Sequence, residues 1–283
     1  MAAGLIGWHG KSERQRTVPA RTLQLIQSLG AQAFDGTEDI RMARLLLISN
    51  STLHGSGYLD HVETEIRDFL KDARRIAFVP LALYDRNQYA TQARERFRSM
   101  GYDLMSIHDV SHPQRAIKES DAVFVGGGNT FRLLKGLYDW DLREVIRHAV
   151  EDGKPYLGSS AGSIVACPSL KTTKDMPIVQ PPSFEALGLV HFQISPHYLD
   201  PDPSSTHMGE TQEQRILQFL EENEAPVVGL REGGILRVES GSITLKGSSA
   251  GARVFRRKEK PVEVPTGANL DSLLAIPLVE VGA

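Results

Sequence analysis

One serine is set for chemistry by its neighbours. Gly158-Ser159-Ser160-Ala161-Gly162 reads G-x-S-x-G, entered by the apolar pair Tyr156-Leu157 and followed by Ser163-Ile164-Val165-Ala166-Cys167, a run with the character of a buried helix. Strand, sharp turn and helix in that order are the setting in which a serine hydroxyl becomes a nucleophile. The turn lifts Oγ clear of the sheet, and the helix N-terminus behind it offers N–H groups and partial positive charge to a developing oxyanion. On this reading Ser160 is the nucleophile of an acyl transfer. Glycine and serine ahead of a helix are also ordinary capping chemistry, so the reading depends on partners elsewhere in the chain.

Three further stretches offer them. Ser195-Pro196-His197 closes an apolar run over residues 189–194, and a histidine just past a strand's carboxyl end is well placed as a general base. Pro226-Val227-Val228-Gly229-Leu230 is a further strand, and Glu232 follows it, so Ser160, His197 and Glu232 are expected to converge on the carboxyl edge of one sheet. The order Ser…His…Glu differs from the usual hydrolase order, but triads are defined by geometry. Asp121-Ala122-Val123-Phe124-Val125 runs into Gly126-Gly127-Gly128-Asn129-Thr130 and then a helix. That loop has neither dinucleotide nor P-loop spacing. It reads as a structural turn or as a donor of an oxyanion-hole N–H from Gly128. Asp175, in the polar segment Thr172-Thr173-Lys174-Asp175-Met176-Pro177, reads as a solvated acid, as an orienting group for the nucleophile region or as a holder of a substrate ammonium. His108, Asp109 and His112 read as a polar loop rather than a metal site, so no metal is expected.

The elements that must position these residues follow from the pattern of apolarity. Leu45-Leu46-Leu47-Ile48 and Ile76-Ala77-Phe78-Val79 are continuous rather than alternating, which is the signature of strands buried on both faces. Helices are expected over residues 59–70, 89–100, 140–150 and 212–222, with strands at 75–80, 104–107 and 121–125. The fold class is therefore α/β, a mostly parallel doubly wound sheet. The polar run Ser49-Asn50-Ser51-Thr52 lies where such a sheet places a functional loop. Residues 235–238 and 242–245 form a C-terminal antiparallel hairpin, and 250–255 a third short strand. Residues 1–41 are arginine-rich and read as a loosely ordered extension, 42–260 as the catalytic domain and 261–283 as a tail.

Composition narrows the classes. The chain has 283 residues, formal net charge -3 and 24% charged residues, with no basic block for nucleic acid and no apolar stretch of membrane-spanning length. The single cysteine, Cys167, rules out an intrachain disulfide framework and reads as a buried thiol.

The assembled motifs resemble the peptidase E family, the α-aspartyl dipeptidases. The matching stretches are SNSTL (Ser49–Leu53), FVGGGNTFRLLK (Phe124–Lys135), GSSAGSIVACPSLKTTKDMPIV (Gly158–Val179), ISPHY (Ile194–Tyr198), GETQEQRI (Gly209–Ile216) and GLREG (Gly229–Gly233), in family order. The resemblance implies a class I glutamine amidotransferase-like sheet and a cytoplasmic serine peptidase that cleaves Asp-X dipeptides, with no cofactor. The sequence leaves the oligomeric state open between monomer and dimer. It implies Ser160, His197 and Glu232 as the triad, Gly128 and Ala161 as oxyanion donors, and Asp175 as a further active-site acid. Two positions depart from the family. Ser159 stands where bacterial members commonly have tryptophan, which should alter the pocket wall. Gln212 stands where they commonly have an arginine thought to bind the substrate's aspartyl carboxylate, so Arg215 or Arg231 is the expected source of charge. A hydrolase of other acidic or isoaspartyl bonds, and a non-catalytic binder of small ligands, are the alternatives.

Overall fold

The computed structural model describes residues 43–273 apart from 205, 207, 249 and 250. The expectations for residues 1–41 and for the last ten residues of the tail lie outside that range. Strands β1 (Leu45–Ile48), β2 (Arg75–Val79), β3 (Asp103–Ser106), β4 (Ala122–Val125) and β5 (Tyr156–Ser159) lie in the order β3-β2-β4-β5-β1, all parallel. Their run-on apolarity has a direct cause. Leu45, Leu47, Val79, Val123, Val125 and Tyr156 face one core; Leu46, Ile48, Ile76, Phe78, Phe124 and Leu157 face another.

Helices cover both faces. α1 (Glu63–Leu70) and α2 (Arg86–Ser99) bury Ile66, Phe69 and Phe97 in the second core. α3 (Pro113–Glu119), α4 (Thr130–Asp139), α5 (Arg143–Glu151) and α6 (Ala161–Val165) bury Ile117, Leu133, Ile146 and Val165 in the first. Each fully buried Leu, Ile or Phe contributes about 1.5–3 kcal/mol, so the sheet is held from both sides.

Two additions frame the parallel strands. β8 (Gly234–Glu239) pairs antiparallel with β1, and β9 (Ser242–Gly247) with β8. This is the expected hairpin, turned by Ser240 and Gly241, both at positive φ as a two-residue turn requires. β6 (Gln193–Pro196), β7 (Val227–Leu230), β10 (Ala252–Phe255) and β11 (Val262–Val264) form a separate sheet in the order β11-β10-β7-β6. β10 therefore pairs with β7 rather than extending the hairpin. α7 (Gln212–Glu222) begins at a capping box between Thr211 and Gln214 and packs Ile216 and Leu220 against Val227 and Phe255. Part of the tail packs: β11 pairs with β10, and Leu270 and Leu273 are buried.

Several boundaries differ from the sequence reading for local reasons. α2 starts at Arg86 because the Asp85 side chain accepts from the Gln88 N–H. The helix expected from residue 140 starts only at Arg143, because Asp141 at φ 50° breaks the spiral after α4. The strand expected over residues 189–194 begins only at Gln193: the Leu189 N–H, with those of Leu187 and Gly188, donates to carbonyls of residues 165–167 at the end of α6. α3 was missed; it is a single short helix opened by Pro113 with only Ala116 and Ile117 buried.

The seating of α6 on the sheet tolerates no side chain at Gly162, where a Cβ would collide with the Val125 carbonyl oxygen. Gly162→Ala is expected to destabilise the fold by about 1–3 kcal/mol. Urea unfolding checks this, and an unchanged midpoint would contradict the packing described.

Candidate active site

β5 delivers Ser160 into a strained turn, φ 51° and ψ −109°, conformations that L-residues with a Cβ rarely adopt. The turn is stapled on every side. Ser160 N–H donates to Ile48 O at 2.9 Å, and its carbonyl accepts from the Ser163 and Ile164 N–H groups. Ser163 Oγ is bonded to Ile48 O at 2.8 Å and Gly158 O at 2.9 Å, and Tyr156 Oη donates to Gly162 O at 2.7 Å. A Cβ at Gly158 would lie 2.6 Å from Gly162 O, so the first and last glycines of the motif are required by close approach. Ser159 is fully buried.

His197 leaves β6 at φ 51°, a second non-glycine residue at positive φ. Its Nε2 lies 3.0 Å from Ser160 Oγ, and its Nδ1 lies 2.9 Å from Glu232 Oε1. The three side chains are brought together, but not from one sheet edge. Ser160 follows β5 of the seven-stranded sheet, while His197 and Glu232 follow β6 and β7 of the four-stranded one. The expectation of a single sheet is corrected, and the junction between the sheets becomes the feature that sets the geometry. Ser49, fully buried, spans it: Oγ donates to Leu230 O at 2.9 Å and accepts from His197 N–H at 2.9 Å. Asn50 Oδ1 accepts from Gly233 N–H at 2.7 Å, beside Glu232. Ser49 and Asn50 open the run expected at the position of a functional loop; both are buried and act as struts.

The glycine loop presses against the serine. A Cβ at Gly127 would lie 3.1 Å from Ser160 Cβ, and one at Gly128 would lie 2.7 Å from Leu83 Cδ2 and 2.8 Å from Ala82 O. Gly128 sits at φ 133°, open to glycine, and among the described residues its N–H has no acceptor. Ala161 opens α6, where N–H groups lack intrahelical acceptors. Asp175 anchors this loop: Oδ2 accepts from Thr130 N–H at 2.7 Å, Thr130 Oγ1 at 2.6 Å and Thr173 Oγ1 at 3.1 Å. Asn129 caps α4 through the Arg132 N–H and donates to Met176 O.

The expected sources of positive charge fare differently. Arg231 is committed to a bidentate pair with Asp200 and a bond to Glu263, which hold its guanidinium well above its ordinary pKa. Arg215 is exposed, with Glu210 at 3.7 Å. Gln212 is engaged at both ends: Nε2 donates to His197 O at 3.2 Å, and Oε1 accepts from Leu199 N–H and Lys174 Nζ. The sequence reading passed over Lys174, which donates to Pro196 O at 2.7 Å and His197 O at 3.1 Å. It also passed over His61, near Asn50 and Glu232, whose pKa burial lowers. The spacing of neither residue from Ser160 or His197 marks it.

The remaining polar groups have local partners. His108 Nδ1 bonds Ser106 Oγ and Nε2 bonds Asn87 Oδ1; among the described residues no three His, Cys, Asp or Glu side chains group as a metal site. Burial pushes the Cys167 thiol well up. No helix among the described residues is long and apolar enough to cross a membrane.

Removing the Ser49 hydroxyl leaves the His197 N–H without its acceptor, at about 1–3 kcal/mol, and frees the strained His197, while Leu230 O keeps the Tyr198 N–H. Ser49→Ala is expected to lower kcat by about 10- to 100-fold with KM little changed, since the loss falls on the geometry of the base rather than on substrate contacts. Steady-state kinetics check this, and a wild-type kcat would contradict the strut.

The sequence model of peptidase family S51 matches residues 45–246. Peptidase E of Streptomyces coelicolor is 54% identical over 232 residues, which are 82% of this chain and 95% of that one. A Drosophila melanogaster protein named "Probable alpha-aspartyl dipeptidase" is 44% identical over 233 residues, 81% of this chain and 97% of its own. Among solved structures, a peptidase from an acI-B1 Actinobacterium superposes with a TM-score of 0.61 at 15% identity, covering 81% of this chain and 96% of that one, a likeness of fold. Matched over most of its length by the family model and by relatives of this closeness, the chain belongs to peptidase family S51.

Proposed function

We propose that the chain is a serine exopeptidase that hydrolyses dipeptides with N-terminal aspartate. The observation that carries the reading is the unbroken hydrogen-bonded line from Ser160 Oγ through the His197 ring to Glu232. The Drosophila relative's name supports aspartyl dipeptides as the substrate class.

In this reading His197 Nε2 takes the proton of Ser160 as Oγ bonds to the scissile carbonyl carbon. The carbonyl electrons move to oxygen, where the Gly128 and Ala161 N–H groups receive the charge. Collapse breaks the C–N bond, and the proton held on His197 goes to the leaving amine. Water, giving its proton to His197, then releases the acid and restores Ser160. Glu232 holds Nδ1 protonated, so Nε2 is the basic nitrogen throughout. Asp175 spends Oδ2 on the loop that carries Gly128, which suits a supporting role, and its carboxylate is also a candidate for the substrate ammonium. Gln212 and Arg215 line the cleft shared with Lys174 and Ser195.

A second reading keeps the chemistry and changes the substrate to another acidic or isoaspartyl peptide. The occupied, uncharged amide of Gln212 favours it. A panel of Asp-X, Glu-X, Ala-X and β-aspartyl dipeptides separates the two. The expected result is a strong preference for Asp-X that falls by on the order of 10⁴-fold or more in Ser160→Ala with the fold intact. Near-wild-type turnover in that variant would contradict the assignment, and preference for a β-aspartyl peptide would favour the second reading.

A further inference from the structure

We infer that Lys174 is the specificity residue of the site, the cation that receives a side-chain carboxylate on the acyl-side residue of the substrate. The inference rests on the serine-hydrolase reading above. Such a carboxylate lies one short side chain from the scissile carbonyl. Its partner must therefore stand within reach of Ser160 and His197.

The cations near the site sort by what they already hold. Arg231 is fixed by Asp200 and Glu263. Arg215 extends into solvent toward Glu210. Lys174 alone of the three touches the His197 main chain, and its ammonium is bonded only to neutral oxygens: Pro196 O at 2.7 Å, His197 O at 3.1 Å and Gln212 Oε1 at 3.2 Å. Three neutral acceptors position a charge without cancelling it. The longest contact, to Gln212, is the one that a carboxylate can replace with a stronger charge-assisted bond. Lys174 is exposed as a residue, while its ammonium sits part-buried against Pro196 O, so a ligand would approach it from the side of the Gln212 contact.

The role of Gln212 follows. Its amide ties His197 O to Leu199 N–H and meets the lysine at its third contact, so it sets the position of a charge that it does not carry. An arginine there would bring its own charge. Here lysine and glutamine divide charge and positioning between them.

The titration of Lys174 adds a second handle. Burial of the ammonium lowers its pKa to about 8, opposed by Asp175 and Glu232 and assisted by Arg215; with His197, these are the ionisable groups facing it. The group is cationic below that pH and loses its charge above it. Because kcat/KM reports the free protein, discrimination in favour of a carboxylate should fade as pH rises through about 8. Taking the ratio of two substrates cancels any ionisation that affects both alike.

The experiment compares kcat/KM for the α-p-nitroanilides of aspartate and asparagine, which differ only in charge at the side chain. Wild type should favour the aspartyl compound, and Lys174→Met should lower the Asp/Asn ratio by about 10- to 100-fold. Gln212→Arg added to Lys174→Met should restore the preference, and Lys174→Arg should retain it. The wild-type ratio should also fall between pH 7 and 9.5, a measurement that needs no variant to fold. A ratio unchanged in Lys174→Met, or flat across that pH range, overturns the inference and leaves the hydrolase reading standing. No hydrolysis of either compound by wild type overturns the hydrolase reading and the inference with it.

Discussion

The structure depends most on what happens at the carboxyl end of β1. Three consecutive residues there hold all the segments that carry the candidate triad. Ile48 O accepts from the Ser160 N–H and Ser163 Oγ. Ser49 bonds His197 N–H and Leu230 O through one hydroxyl. Asn50 takes the Gly233 N–H next to Glu232. Both Ser49 and Asn50 are essentially inaccessible to solvent, so these bonds do not compete with water, and their loss would strand buried donors and acceptors. Two sheets meet at this point, and the chemistry lies across their seam.

That arrangement explains how strained backbone persists. Ser160 and His197 each hold a positive φ that costs about 1–3 kcal/mol. Ser160 is bracketed by its bond to β1 and by the turn into α6. His197 is bracketed by Ser49 on its N–H and by Lys174 and Gln212 on its carbonyl. The strain aims each side chain at the other across the seam. The pair is therefore set by main-chain bonds on both sides, and Glu232, half exposed, orients the ring rather than burying a charge beneath it.

Much of this was legible in the sequence, and the limits have physical causes. Continuous apolar strands announce burial on both faces, and the glycine-flanked serine announces a tight turn, because both are local demands on residue type. Thr211 with Gln214 marks the start of α7 equally well. The division into two sheets was not legible. β7 pairs with β6 and β10 through backbone atoms that leave no trace in side-chain pattern. The apolar run at 189–194 reads as strand throughout because it fills the core, yet it is strand only from Gln193, and the Leu189 N–H donates to Ala166 O just beyond α6. The candidate triad emerged from strand-end positions, whereas Ser49 read only as the start of a functional loop, because a buried strut and an exposed loop residue have the same composition. Arg231 was offered as a free charge, and only the fold reveals Asp200 and Glu263 around it.

The central claim is that Ser160 is activated by His197 across the seam. Intact-mass and peptide mapping after treatment with a fluorophosphonate probe tests it most directly. The account predicts one adduct, on Ser160, formed rapidly by wild type and slowed by on the order of 10³-fold or more in His197→Ala. Labelling at another residue, or equal labelling of Ser160 in His197→Ala, would contradict it.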